Sequence, residues 1–146
     1  MNTIESLNYP VLCFSQNLAR VKNSSDELTV CSKRALRKGG YFDNMLIVDN
    51  LGSGLKIKGA EKLHGVGIFW GYNIFLNQRI KVRLLVDGSL LHVSIADVKK
   101  HISKSFRRWH GWATRDDFKE LKVSIEKAQS ISEIIKLLSD KRNTHC

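Results

Sequence analysis

The sequence predicts an α+β fold, an antiparallel sheet of about four to six strands followed by three C-terminal helices. Two observations carry the prediction. Up to residue 94, apolar residues alternate or run in short β-branched groups broken by Gly, Asp and Asn, a period of two. From Ser94 onward the period lengthens to about 3.6, and three hydroxyl-x-x-acid pairs mark helix starts. A chain of 146 residues, 42% of them hydrophobic, is sized for one core. It divides into a mixed segment (1–40), a β-rich segment (41–94) and a helical segment (95–138).

Residues 1–40 carry short apolar groups at Val11, Leu12 and Phe14, then at Leu18 and Val21, before a polar break at Asn23-Ser24-Ser25-Asp26. Met45-Leu46-Ile47-Val48 is a short apolar strand ending at Asp49-Asn50. Leu51-Gly52-Ser53-Gly54 supplies a loop, and Leu55-Lys56-Ile57-Lys58 alternates as a half-buried strand does, so the two runs form a hairpin. Gly65 to Phe75 concentrates aromatic and β-branched residues and reads as a strand. Arg79 to Val86 places Ile80, Val82, Leu84 and Val86 on one face and Lys81 and Arg83 on the other. Asp87-Gly88 then predicts a tight turn into Leu90–Val93.

The first C-terminal helix buries Ile95, Val98, Ile102 and Phe106. The second buries Phe118, Leu121, Ile125 and Ala128, and the third Ile131, Ile134, Ile135 and Leu138. Ser94 with Asp97, Thr114 with Asp117, and Ser130 with Glu133 are the capping pairs.

Twenty-four Lys and Arg against 14 Asp and Glu give a net charge of +10. That charge favours acidic partners through a long-range attraction that salt weakens. The excess is +3, +2 and +5 over residues 1–40, 41–94 and 95–146, which argues against a dedicated basic tail. No run is long and apolar enough to cross a bilayer. The start of the chain carries no secretory pattern, so the expected location is cytoplasmic and no membrane partner is expected. Cys13, Cys31 and Cys146 are too few and too scattered for a disulfide framework, and no local signature marks Cys31 as a nucleophile.

Gly65, Gly67 and Gly71 do not have the spacing or the Lys-Ser/Thr of a phosphate loop, and bends in strands explain them. His64, His92, His101, His110 and His145 form no zinc-like pairing. Asp49 and Asp87 fall at turns and Asp43 precedes a strand, where carboxylates cap backbone groups; with Glu61 they suggest no acid–base pair. The expectation is therefore no enzyme, no cofactor and no metal.

Lys100, Lys104, Arg107 and Arg108 form a basic face opposite the apolar stripe of the first helix, followed by Trp109, His110 and Trp112. A solvated helix closed onto the sheet by its tryptophans explains this face; phosphate binding with base stacking is the functional reading. Lys33-Arg34 with Arg37-Lys38 extends this helix's basic patch only if the fold brings it near. Trp70 and Tyr72 share one strand face and, near Arg79 and Arg83, have the composition of a protein-binding hot spot; a covering helix is the alternative.

The order Met45-Leu46-Ile47-Val48, Phe69-Trp70-Gly71-Tyr72, the Ser94–Phe106 helix and the closing Phe118-x-x-Leu121…Ala128-x-Ser130…Glu133-Ile134-Ile135-x-Leu137-Leu138 resembles small bacterial immunity-type proteins. These accompany secreted or contact-delivered toxins. The resemblance implies a small cytoplasmic, non-enzymatic inhibitor of one cognate toxin. Many such proteins are acidic, so a basic chain implies a toxin with an acidic docking surface. The candidate contacts are Trp70, Tyr72, Arg79, Arg83, Lys100, Lys104, Arg107, Arg108 and Trp109. A nucleic-acid-binding module using the Lys100–Arg108 helix and its tryptophans is the second reading.

Overall fold

A computed structural model describes residues 4–15, 18–38, 40–66, 79–106 and 115–144. The strands are β1 (Val11–Ser15), β2 (Leu18–Lys22), β3 (Val30–Ser32), β4 (Met45–Asp49), β5 (Ser53–Val66), β6 (Arg79–Val86) and β7 (Leu91–His92). The helices are α1 (Ser25–Leu28), α2 (Lys33–Lys38), α3 (Ile95–Phe106), α4 (Arg115–Lys127) and α5 (Ile131–Thr144). Every strand pairing is antiparallel, in the order β2-β1-β4-β5-β6-β3, with β7 on β5. The sheet curls, and α1 spans from β2 to β3, the two edge strands of that order.

The curl follows from side-chain alternation and two irregularities. Val11 and Cys13 of β1, Met45 and Ile47 of β4, Leu55 and Ile57 of β5, and Ile80, Val82 and Leu84 of β6 meet in an inner core, joined by Ile4, Leu7, Leu28 and Phe42. The β5–β6 register slips between Ile57 and Gly59 and again between Lys62 and His64. Each slip is a bulge with one extra residue, Lys58 and Leu63, and bulges bend and twist a strand.

The opposite faces of β1, β2 and β4, through Leu12, Phe14, Ala19, Val21 and Val48, bury against α3, α4 and α5. Val98, Ile102 and Phe106 of α3, Leu121 and Ile125 of α4, Ala128 in the α4–α5 link, and Ile131, Ile134, Ile135 and Leu138 of α5 face this second core, as the 3.6 period predicts. Phe118 and the Thr114 cap lie outside the described side chains. Ser94 Oγ accepts from the Asp97 amide at 3.2 Å, and Ser130 Oγ from the Glu133 amide at 3.2 Å, so two of the expected caps form. Lys99 Nζ donates to the Glu126 carbonyl at 2.9 Å and ties α3 to α4.

Three expectations change. Among the described residues the sheet has seven strands, because residues 1–40 contribute β1, β2 and β3. β1 is central and buried along its whole length, so it shows no alternation to read. β5 is one strand of 14 residues through Val66; residues 67–78, which hold the remainder of the expected aromatic strand, lie outside the described residues.

The predicted Asp87-Gly88 hairpin does not form. Leu91 and His92 pair with Gly54 and Ser53 of β5, so the chain keeps the direction of β6. The Asp87 amide still donates to the Lys56 carbonyl at 2.8 Å, and the Val93 amide to that of Gly52 at 2.8 Å. Residues 87–90 are thus a detour along one edge of β5, with Gly88 at φ 84°. Completing the open edge of β5 satisfies backbone groups that a reversal would leave unpaired.

Candidate functional site

On β6, Ile80, Val82 and Leu84 point into the inner core, so Arg79, Lys81 and Arg83 point outward on alternate residues. Arg79 and Arg83 are exposed and Lys81 is half-buried. Successive cations are roughly 6.6–6.8 Å apart along the strand at the standard rise. Leu85, half-buried, continues the row on the same face.

Neighbouring strands frame this row. Val30 and Ser32 of β3 stand opposite Lys81 and Arg79. On β5, His64 stands opposite Lys81 and Glu61 opposite Arg83. Lys81 Nζ contacts Asp26 Oδ1 at 3.0 Å, the Asp26 side chain being 87% exposed and that of Lys81 26%. Neither Arg79 nor Arg83 has an ion-pair partner among the described residues.

Asp26 is positioned by the start of α1. Ser24 caps the helix through the Glu27 amide at 3.3 Å, and Glu27 Oε2 accepts from the Asn23 amide at 2.9 Å. Ser24-x-x-Glu27 is a further capping signature, legible in the sequence inside what was read as a polar break. It turns Asp26 toward β6, a residue the sequence did not single out.

The second basic group is placed beside β3, whereas α3 with Lys100 and Lys104 is seated on β2. α2 starts directly after Ser32, the residue paired with Arg79, and Ser32 Oγ accepts from the Ala35 amide at 3.1 Å. Arg34 and Arg37 are both exposed on α2. A shallow open cleft of about 80 Å³ beside α2, lined in part by Leu36, Tyr41, Phe42 and Ala60, is far smaller than the roughly 300–1,000 Å³ of small-molecule pockets.

Lys100 and Lys104 are exposed on α3, as the helical spacing predicts. α3 is seated on β2, whereas Arg79 and Arg83 stand on β6, with β1, β4 and β5 between in the sheet order. The candidate contacts thus divide into two groups on different elements. Trp70, Tyr72, Arg107, Arg108 and Trp109 lie outside the described residues. On α3, the His101 ring stacks on Phe14 with centroids 5.2 Å apart and planes at 29°. Burial, then the neighbouring Lys104 charge, pushes its pKa below the usual value; Asp97 opposes this and Lys100 adds to it.

Asp49 has a structural role. Asp49, with no exposed surface, accepts from the Leu51 and Ser53 amides at 3.0 and 2.8 Å through Oδ1. Through Oδ2 it accepts from the Asn8 amide at 3.1 Å and Asn8 Nδ2 at 3.2 Å. It fixes the β4–β5 turn, as its position in the sequence implies, and also holds the N-terminal segment, which nothing local in the sequence shows. Burial pushes the Cys13 thiol up to about 12 and raises that of Cys31. Among the described residues, no three His, Cys, Asp or Glu side chains converge as metal ligands. No helix among them is long and apolar enough to cross a membrane. Comparison of the chain with protein-family models, curated proteins and solved structures gives no match.

Proposed function

We propose that this chain is a non-enzymatic protein-binding inhibitor of the immunity type, docking on an acidic surface of a cognate toxin and occluding it. The observation that supports this reading most is the Arg79–Lys81–Arg83 row on the outward face of β6. Outward residues of a strand whose other face is buried contribute little to the core. A rigid sheet also holds such cations at fixed spacing, which lowers the ordering cost of binding. Complementary charge speeds encounter, and a stable inhibitory interface buries roughly 1,200–2,000 Å² in total. Lys100 and Lys104 form a second basic area that a partner of that size can reach or leave free.

The test is affinity capture from source cytoplasm, run in parallel with and without nuclease treatment, comparing the wild-type chain with an Arg79→Glu/Arg83→Glu variant. The expected result is one polypeptide retained by the wild type and lost with the variant, whose toxicity the wild-type chain suppresses on co-expression. Retention of nucleic acid alone, or of a polypeptide indifferent to the two arginines, overturns the proposal in favour of the phosphate-binding reading or of neither.

A further inference from the structure

Resting on that reading, we infer that the partner meets β6 through an extended acidic segment, with carboxylates on alternate residues, which takes Lys81 from Asp26. Arg79, Lys81 and Arg83 present cations at the two-residue repeat of a strand, and an extended peptide repeats at the same interval. Three alternate carboxylates laid along the row therefore meet all three cations, and the next alternate position falls at Leu85, where an apolar side chain fits.

Asp26 shows what chemistry the centre of the row accepts. Its carboxylate reaches Lys81 from α1, across 55 residues of sequence, while itself remaining mostly exposed. An exposed pair of this kind is weak, so an incoming carboxylate displaces it at small cost. Asp26 thus occupies, from within the chain, the place assigned to the partner's central carboxylate. Glu61, opposite Arg83 on β5, repels a carboxylate on that side. Val30 and Ser32 of β3 border Lys81 and Arg79 on the other side, the side from which Asp26 reaches Lys81.

The experiment measures fluorescence polarisation at low salt, using the full chain and a labelled peptide with Glu at three alternate positions, Ser between them and Leu at the fourth. A permuted peptide of identical composition carries its Glu residues consecutively. The alternating peptide is expected to bind more tightly than the permuted one, and Lys81→Ala to weaken it about tenfold. Asp26→Asn removes the internal competitor and is expected to tighten binding about two- to fivefold. Asp43→Asn, which removes the same charge from an exposed loop, is expected to change affinity less than twofold.

Equal binding of the two peptides, an Asp26→Asn affinity no greater than that of Asp43→Asn, or tighter binding of an equally charged oligothymidylate overturns the inference. Should capture of the cellular partner depend on Arg79 and Arg83 while Asp26→Asn has no effect, this inference alone fails. If capture ignores the arginines, the docking reading fails with it.

Discussion

Asp49→Asn is the substitution that most directly tests how the fold is tied together. The change preserves shape but exchanges one acceptor oxygen for a donor amide. If the remaining oxygen keeps the Leu51 and Ser53 amides, the new NH₂ faces the Asn8 amide and Asn8 Nδ2, donors within 3.1 and 3.2 Å of that site. The Asn8 side chain can turn its own Oδ1 to the new NH₂, but its backbone amide cannot. A hydrogen bond to a carboxylate contributing about 1.5–3 kcal/mol is therefore lost, and a buried donor is left facing another donor at a further cost of about 1–3 kcal/mol. Flipping the amide moves the conflict to the turn and relieves nothing. The expected loss is about 3 kcal/mol or more, a large part of the 5–15 kcal/mol that stabilises a typical domain. In urea, a slope of about 2 kcal/mol per molar places the midpoint roughly 1.5 M lower. Asn8→Ala, which removes one of the four bonds, should cost about a third as much. A loss below about 1 kcal/mol for Asp49→Asn, with unchanged slope, would refute the role assigned to the clamp.

Gly54→Ala should destabilise by about 1–3 kcal/mol, because the added carbon meets Val93 Cγ2 at 2.5 Å; Val93→Ala in the same chain should recover part of the loss in a thermal melt. His101 contributes a pH dependence whose sign follows from its lowered pKa. Its stabilising contribution is present above the unfolded value of 6.5 and is lost as the pH falls below it. His101→Phe, which keeps a ring against Phe14, should flatten that part of the Tm–pH profile. Cys13, with its thiol pushed up to about 12 and its side chain buried, should stay unalkylated by iodoacetamide at mildly alkaline pH and react once denaturant is added, as read by mass spectrometry.

What the sequence made legible were features whose cause is local. The α3 and α5 stripes, their Ser94 and Ser130 caps, the β4–β5 hairpin and the in–out alternation of β6 all depend on residues within a few positions of one another. β1 was not legible as a central strand because Val11 to Ser15 are buried on both faces, which leaves a short apolar run without a period. β7 was misassigned because alternation fixes which residues face inward but not which strand edge they complete; the available edge belonged to β5, not β6. The candidate contacts on β6 were legible as an exposed face. The carboxylate beside them was not, since Asp26 and Lys81 are brought together by the long-range β3–β6 pairing, which sets α1 beside β6.

The curl of the sheet also explains why the basic row is left uncovered by the C-terminal helices. The bulges at Lys58 and Leu63 add length to β5 relative to β6, and the curl turns the inward side chains of β4, β5 and β6 onto one core. The C-terminal helices then cover β2, β1 and β4, where Ala19, Val21, Leu12, Phe14 and Val48 provide an apolar outer face. β6 has no such face: Arg79, Lys81 and Arg83 occupy the positions where a helix-covered strand carries aliphatic residues. Placing a helix there would desolvate three cations of which one, Lys81, has an ion-pair partner among the described residues, Asp26. Folding therefore leaves this surface in water with two of its cations without an ion-pair partner among the described residues. A partner bringing three spaced carboxylates can neutralise it without disturbing either core.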